Sequence, residues 1–403
     1  MKHDQIQKEA KKWVKEGIIS SEQYTAILSR YPKHDHRFLL MAFGGLFVGL
    51  GFLTFIASNW SDLTNAIKMV IILVAMIGFY GVGERIYRKH SRGIGATFLV
   101  VGVLTFGAGI ILTGQMYHYM AYSATAFFIW SLAVIAVFIL SQEAVMLVLA
   151  FGIITVGQIY GGFTYHDFHL GLGLLFLIGL GYFTYKHQRE WISTLYGIGF
   201  FLQSLVLVLT SDLSYYWLFA FLLLLYSLSE IVSKDFPVQA FKRIALALAF
   251  LIGIIQVFTL QSGWVLQDIQ LEVSFLLVLI VIGGWVIYRK ITTHSSVELV
   301  DLALFVPVFL LPDLKSALVL IMLYIFSLGR LLTGYKDGDA EMINIGTIAF
   351  LVSTLVAYFQ LAWDFLDKSL FFFIGGVLLF TLGYLLERRR RAFCRAEERG
   401  DRL

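Results

Sequence analysis

The chain alternates between long apolar stretches and short polar links. About fourteen apolar stretches follow residue 37, most near the length of about 20 residues that a helix needs to cross a hydrocarbon core of about 30 Å. Backbone amides and carbonyls must be paired inside lipid, and a helix pairs them within one segment. The pattern therefore predicts spans at residues 38–57, 67–83, 93–113, 124–140, 144–161, 169–185, 191–210, 215–232, 244–262, 273–288, 297–311, 316–333, 342–359 and 370–386.

Two places in this pattern are ambiguous. The link at residues 141–143 is very short and carries no basic residue. The eleventh stretch contains Glu298, Asp301 and Pro307 and stops at Pro312, so a broken or re-entrant helix is an alternative there. If both assignments were wrong together, twelve spans would remain and both termini would stay on the same side.

Basic residues lie almost entirely on alternate links. If the N-terminus faces the cytoplasm, every Lys and Arg except Lys68, Lys315 and Lys368 lies on a cytoplasmic segment or at its edge. This asymmetry follows the positive-inside rule. A miscounted span would invert every later link and remove the agreement. The sequence therefore predicts an all-α polytopic transmembrane bundle of about fourteen spans with both termini inside.

The N-terminal segment is the one sizeable polar region, and it predicts a cytoplasmic helical hairpin. A helical stripe of apolar residues ends at Gly17, which we expect to be a C-cap. Ser20 and Gln23 have the spacing of a capping box that opens a second helix. So short a hairpin buries too little surface to be stable alone, so we expect it to pack on a protein partner, a second copy or the membrane surface. The predicted domains are a hairpin at 1–36, a transmembrane domain at 37–387 and a basic cytoplasmic tail at 388–403.

Composition agrees with a membrane protein. Hydrophobic residues make up 59% of the 403 residues and charged residues 14%, whereas a soluble domain is about 25% charged. The net charge of +4 comes from links and tails beside apolar spans, which indicates membrane orientation and not nucleic-acid binding. Cys394 is the single cysteine, so an intramolecular disulfide is excluded. The first apolar stretch begins too far into the chain for a cleavable signal peptide, and we expect an uncleaved anchor.

Polar side chains collect where spans reach the predicted outer face. The first span ends in the run 58–62, the third in the run 114–119 and the fifth in the run 157–161. Gln at the edge of hydrocarbon is costly unless it is hydrogen-bonded. These runs therefore indicate either helix caps, interfacial anchors and interhelical hydrogen bonds, or an outer cavity that binds substrate. The candidate substrate-binding residues are Asn59, Trp60, Gln115, Tyr117, His118, Gln158 and Tyr160.

Two further groups carry chemistry. His166, Asp167 and His169, with His118, have side chains that bind first-row metal ions, but their spacing matches no zinc motif and a solvated loop is the simpler interpretation. Asp301, near Glu298, is an intramembrane acid, a residue type typical of proton or cation relays. Asp301 completes the candidate substrate-binding set. The sequence predicts no cofactor and no metal.

A set of motifs in the first part of the chain points to a family. They are Trp13-Val14-Lys15-Glu16-Gly17-Ile18-Ile19 with Tyr24, Phe55-Ile56-Ala57-Ser58-Asn59-Trp60 with Lys68, Phe106-Gly107-Ala108-Gly109-Ile110 leading to Gly114-Gln115-Met116-Tyr117-His118, and Trp130. The chain resembles the bacterial DUF2157 family of predicted membrane proteins, a domain of unknown function, over about its first 140–160 residues. The resemblance implies a bacterial cytoplasmic-membrane location, and it implies no activity or catalytic residue.

Three functions fit these observations. The leading hypothesis is a transporter- or flippase-like protein with an outward-facing polar site, because many spans occur without a large soluble catalytic domain. The first alternative is a membrane scaffold or sensor that docks partners through residues 1–36 and the basic tail. The second is a membrane-embedded enzyme acting on a lipid-linked substrate, with His118, His166 and Asp167 as acid/base candidates. The scarcity of charge within the spans argues against a strongly ion-coupled pump.

Overall fold

The computed structural model describes most of the chain from residue 63 onward. The described residues are 10–14, 16–20, 23–24, 43–44, 47–48, 50–51, 54, 63–119, 122–231, 239–262, 272–292, 296–306, 315–362 and 367–398. Within these ranges every regular element is helical. The chain forms two compact units, residues 1–153 and 154–403, which divide within one long helix.

The helices follow one another with short connections. From residue 63 onward, those of the first unit are α1 (Asn65–Lys89), α2 (Arg92–Met116), α3 (Thr125–Ser141) and the beginning of α4 (Ala144–Tyr165). Those of the second unit are the rest of α4, α5 (Leu170–Leu174), a π-helical turn (Leu175–Leu180), α6 (Gly181–His187), α7 (Glu190–Thr210), α8 (Trp217–Ile231), α9 (Gln239–Ser262), α10 (Val273–Thr292), a 3-10 helix (Ser296–Phe305), α11 (Lys315–Asp337), α12 (Ala340–Ala362) and α13 (Lys368–Glu398).

These helices confirm the predicted all-α membrane fold. In the part of the chain that the structure describes, nine helices are long and apolar enough to cross a bilayer, namely α1, α2, α4, α7 and α9 to α13. Helices α3 and α8 are apolar but shorter. All of them lie where the apolar stretches predict spans. The first predicted span, residues 38–57, falls largely outside the described residues, and the total of about fourteen spans with both termini inside stays a prediction.

The sixth predicted span contains a π-helical turn between α5 and α6. Widening a helix to this geometry disturbs its regular hydrogen bonding, and lipid offers no substitute partner for a backbone carbonyl. Tyr196 of α7 supplies one, because its hydroxyl donates to the carbonyl oxygen of Leu177 at 3.4 Å. The Tyr196 ring also stacks on Phe176, with 4.9 Å between ring centroids. The turn is therefore held by packing against α7.

The eleventh predicted span is a 3-10 helix over its described part. Its ten residues cover about 20 Å at about 2.0 Å per residue, less than the thickness of a hydrocarbon core. Pro307 and Pro312 lie outside the described residues. The described part of this segment is therefore not a continuous α-helical span, in agreement with the broken-helix alternative.

Two helix ends in the N-terminal segment form as their residues predict. Gly17 has φ +73°, and the amide of Ile18 donates to the carbonyl oxygen of Trp13 at 2.8 Å, which is a glycine C-cap. The amide of Ser20 donates to Gln23 Oε1 at 2.9 Å, and the amide of Gln23 donates to Ser20 Oγ at 3.2 Å. This reciprocal pair is a capping box. The hairpin as a whole stays a prediction, because most of it lies outside the described residues.

Small residues let the helices of the first unit approach closely. A Cβ at Gly95 of α2 would lie 2.4 Å from the Tyr87 backbone of α1. A Cβ at Gly107 of α2 would lie 2.1 Å from the ring of Trp130 in α3. The Trp130 indole also donates to the carbonyl oxygen of Val103 at 2.9 Å. Gly107 and Trp130, both part of the family-like motifs, thus form one interhelical contact of the kind that membrane helices use.

Candidate functional site

Asp301 lies in a cluster of buried charged side chains in the second unit. Its carboxylate is fully buried. Arg330 of α11 donates from Nε to Oδ1 at 2.6 Å and from Nη2 to Oδ2 at 2.5 Å, and Tyr226 of α8 donates from its hydroxyl to Oδ2 at 2.9 Å. The Arg330 pair is bidentate, the strongest geometry for an arginine with a carboxylate. The Asp301 carboxylate is therefore held by the guanidinium of Arg330 and by the neutral hydroxyl of Tyr226.

Two lysines complete this arrangement, which we call the Asp301 cluster (Asp301, Arg330, Tyr226, Lys242 and Lys290). Lys242 of α9 places Nζ 4.0 Å from Asp301 Oδ2. Lys290 of α10 is fully buried, and its Nζ lies 5.2 Å from the centroid of the Tyr226 ring. A cation over an aromatic face is attracted by the electrons of the ring. The cluster thus joins the 3-10 helix to α8, α9, α10 and α11.

Gly329, which has no side chain, explains how the 3-10 helix comes so close to α11. A Cβ at Gly329 would lie 2.1 Å from Val300 Cγ1. Because Gly329 has only hydrogen there, Val300 fits against α11. Asp301 and Arg330 each follow one of these two residues in sequence, so this contact brings the ion pair together.

Burying these charges is costly unless each has partners. Removing one member of a buried pair typically costs about 3–5 kcal/mol, because the other charge is left uncompensated. Ionisable groups inside membrane bundles pair with one another or face a cavity, and they commonly mark substrate or ion pathways. The sequence predicts a role for Asp301 for this reason, and its side chain does contact such partners.

A cavity of about 720 Å³ lies between α9, α11 and α12 and includes two members of the Asp301 cluster in its wall. One end is polar and the other apolar. The polar side chains are Gln239, Lys242, Arg243, Arg330, Asp339 and Glu341. The apolar lining consists of Leu246, Ala247, Phe250, Phe326, Met342, Ile345, Ile348 and Ala349. Such a combination matches a molecule that has a polar head and an apolar body.

The polar end of the cavity is built by ion pairs at helix ends. Arg243 of α9 makes a bidentate pair with Glu341 of α12, at 2.8 Å and 2.9 Å, and a 2.6 Å pair with Glu190 of α7. Asp339 Oδ1 accepts the amides of Glu341 and Met342 at 2.8 Å and 3.2 Å, which caps α12. The acids at this end are therefore already engaged by Arg243 or by backbone amides.

The predicted outer residues of the first unit lie at the end of α2. Gln115, Tyr117 and His118 are exposed. His118 has φ +52°, and its amide donates to the carbonyl oxygen of Gln115 at 3.3 Å while that of Tyr119 donates to Gly114 at 2.8 Å. This is a left-handed helix stop with His in the position that glycine usually takes. The run 114–119 therefore ends a helix, with Gln115, Tyr117 and His118 exposed and Met116 buried.

Gln158 of α4 has a different environment from Gln115. It is almost fully buried. In the amide orientation that satisfies both of its groups, it donates to the carbonyl oxygen of His169 at 3.3 Å and accepts from the amide of His169 at 3.1 Å. His169 in turn caps α5, since its Nδ1 accepts the amide of Leu172 at 3.2 Å. Tyr160 is half-exposed and packs edge-on against Tyr165, with 5.8 Å between centroids.

The remaining predicted residues fall into separate groups. Asn59 and Trp60 lie outside the described residues. Gln158 and Asp301 share no hydrogen-bond partner, because the first binds a loop backbone and the second binds Arg330 and Tyr226. Across the described ranges, no group of three or more His, Cys, Asp or Glu side chains is placed to hold a metal ion.

Sequence reasoning missed the residues that surround Asp301. In the positive-inside pattern, Arg330 counts only as a basic residue at the edge of a cytoplasmic segment, and Lys242 only as one on such a segment. A usable signal was present, because Arg330 lies well inside the apolar helix α11 and an intramembrane acid requires a cationic partner. The choice of that partner, however, depends on which helices are neighbours.

Comparisons with known proteins support the membrane assignment for the first part of the chain. Residues 11–147 match the family described as "Predicted membrane protein (DUF2157)". The resemblance expected from the sequence motifs is thereby confirmed over this region. No curated protein and no solved structure gives a significant match.

Proposed function

We propose that this membrane protein is transporter- or flippase-like and that it handles an amphiphilic substrate in the cavity between α9, α11 and α12. The observation that carries the proposal is the cavity itself, which combines buried cationic side chains with an apolar wall. A purely structural bundle has no need of buried ionisable groups, which are costly in a membrane interior. Moving an amphiphile requires a surface for both of its parts, and this cavity supplies one.

The depth of the cavity fits an amphiphile in one leaflet. Lys242 lies near the first residue of α9, and Phe250 lies eight residues further along, about 12 Å deeper at the helical rise of about 1.5 Å per residue. On the topology that the basic residues predict, the polar end lies at the cytoplasmic interface. Head and tail would then occupy the levels that they occupy in the surrounding lipid.

The outward-facing site predicted from the sequence stays part of the proposal. Transport through a bundle requires access from both faces. Gln115, Tyr117 and His118 are exposed at the end of α2, where they are available to a substrate at the outer interface. Replacing Gln115 and His118 together with alanine is expected to reduce substrate movement, and unchanged movement in that variant would remove them from the site. We place the protein in the bacterial cytoplasmic membrane as a multi-pass protein.

A reconstitution experiment tests the function. Vesicles containing the purified protein and a fluorescent phospholipid are treated with dithionite, which destroys only the fluorophore in the outer leaflet. Wild-type protein is expected to expose inner-leaflet lipid and so to increase the loss of fluorescence beyond that of protein-free vesicles. Ile348→Trp, which fills the apolar part of the cavity, is expected to slow this loss.

The control is a matched substitution elsewhere on the bundle. Ile255 of α9 is 52% exposed and does not line the cavity, whereas Ile348 of α12 is 63% exposed and does. Ile255→Trp should therefore leave lipid movement unchanged. If wild-type vesicles behave as protein-free vesicles do, the transport proposal fails, and the scaffold alternative with residues 1–36 as the docking segment takes its place.

A further inference from the structure

We propose that the cavity binds the phosphate of a phospholipid head group through Arg330 and Lys242, with an acyl chain along its apolar wall. This inference rests on the proposed function for the location of the site and goes further by naming the chemical class of the substrate. It follows from the atoms that remain available at the polar end, from the charge there, and from the way the apolar end opens.

Arg330 has one nitrogen left for a ligand. Its Nε and Nη2 bind Asp301, and its Nη1 makes no hydrogen bond to any residue in the described ranges. The side chain is 92% buried, yet the residue lines the cavity. The pair with Asp301 fixes the plane of the guanidinium. A ligand oxygen therefore meets a donor that is already oriented, which lowers the entropy lost on binding.

Lys242 adds a second positive charge beside the first. Its Nζ lies 4.0 Å from Asp301 Oδ2, the same oxygen that Arg330 Nη2 contacts at 2.5 Å. Two cations thus share one carboxylate, and these three side chains carry one net positive charge. An arginine and a lysine together on a cavity wall are a common arrangement for phosphate binding.

The acids that line the cavity do not cancel this preference. Glu341 is held in a bidentate pair by Arg243. Asp339 is the N-cap of α12, so its carboxylate is already engaged by the amides at the positive end of this 23-residue helix. Basic pockets between membrane helices on the cytoplasmic side are typical sites for phosphate-bearing lipid heads.

The apolar end distinguishes a lipid from a free phosphate ion. Leu246 and Phe250 on α9 face Ile345 and Ile348 on α12 across the cavity. Ile348 is 63% exposed, so the cavity opens sideways where an acyl chain would continue into the bilayer. A free phosphate ion would leave this wall without a partner.

Lipid binding can be measured separately from lipid movement. The melting temperature of the full-length protein in a neutral maltoside detergent is followed on titration with phosphatidylglycerol, with diacylglycerol of the same chains, and with inorganic phosphate. A ligand that binds the folded state raises the melting temperature by mass action. We expect a shift with phosphatidylglycerol and none with the other two additives.

The variants test the assigned residues. Lys242→Gln is expected to weaken the phosphatidylglycerol response about tenfold, the loss of one charge-assisted contact. Lys336→Gln is the control, since Lys336 is exposed in the last turn of α11 and does not line the cavity. The double variant Asp301→Ala, Arg330→Ala removes both members of the bidentate pair and keeps the net charge of the cluster unchanged, and it is also expected to lose the response.

Each outcome decides one point. A shift with diacylglycerol equal to that with phosphatidylglycerol overturns the role of the phosphate, and an equal shift with inorganic phosphate overturns the role of the acyl chain. Lys242→Gln behaving as wild type overturns the residue assignment. If phosphatidylglycerol binds but no lipid moves in vesicles, the inference stands and the transport proposal fails. If lipid moves at a rate that depends neither on its phosphate nor on Lys242, the transport proposal stands and this inference fails.

Discussion

Gln115 and Gln158 have similar sequence contexts but different environments. Each follows a glycine near the end of an apolar helix and precedes a tyrosine by two residues. Gln115 is exposed and makes no side-chain hydrogen bond to another described residue. Gln158 is buried, and both of its amide atoms bind the His169 backbone. The two glutamines therefore have similar sequence contexts but different structural roles.

This difference predicts unequal effects of the same substitution. Gln158→Ala leaves the amide and carbonyl of His169 without that partner, and we expect the free energy of unfolding to fall by about 1–3 kcal/mol. Gln115→Ala removes an exposed side chain and should change it by less than about 0.5 kcal/mol. Unfolding in mixed micelles measures both. Equal destabilisation by the two variants would contradict the assigned environments.

At the scale of elements, glycines set how closely helices α11 and α12 approach. A tight turn at Gly338, which has φ +72°, joins the two helices. A Cβ at Gly346 of α12 would lie 2.6 Å from the backbone nitrogen of Leu331 in α11. Leu331 follows Arg330, so this contact also fixes the helix segment that carries the cavity cation.

Alanine substitutions at Gly346 and Gly376 test this close approach of α11 and α12. Gly346→Ala places a methyl group against backbone that cannot turn aside, and we expect a loss of stability of about 1–3 kcal/mol. Gly376→Ala in α13 is the control, because its Cβ would meet no described atom within 4 Å. Alanine also favours the helix there by up to about 1 kcal/mol. Thermal unfolding in detergent should separate the two variants, and a neutral Gly346→Ala would contradict the close approach.

At the scale of the whole molecule, charge and hydropathy define a multi-pass membrane protein whose orientation is still a prediction. The positive-inside pattern predicts that both termini lie in the cytoplasm. Cys394, the single cysteine, lies in the basic C-terminal tail. The protein therefore contains a natural label for the side on which the chain ends.

Cysteine labelling checks this topology. In intact bacterial spheroplasts, a membrane-impermeant maleimide is expected to leave Cys394 unmodified and to label it only after permeabilisation. Asp167→Cys, in a Cys394→Ser background, places the thiol in a predicted outer link and should react in intact spheroplasts. Labelling of Cys394 before permeabilisation would place the C-terminus outside and reject the predicted topology with both termini inside.

The sequence by itself determined the membrane class, the positions of the helices and several helix ends. These are local properties, since apolar length defines a span, and Gly17 or the Ser20 and Gln23 pair define a cap from a few neighbouring residues. Asp301 can also be recognised from the sequence alone, because an acidic residue is rare within an apolar stretch.

Only the tertiary structure decided which residues surround Asp301. Arg330 lies 29 residues away along the chain and Tyr226 lies 75 residues away, and nothing in their local sequence names Asp301. In a soluble protein the apolar face of a helix shows which side packs inward, but a helix that is apolar on all sides gives no such signal. The contacts made by Gly329 and Gly346 set the approach of α11 to the 3-10 helix and to α12. The ion pair and the cavity beside it are consequences of that approach.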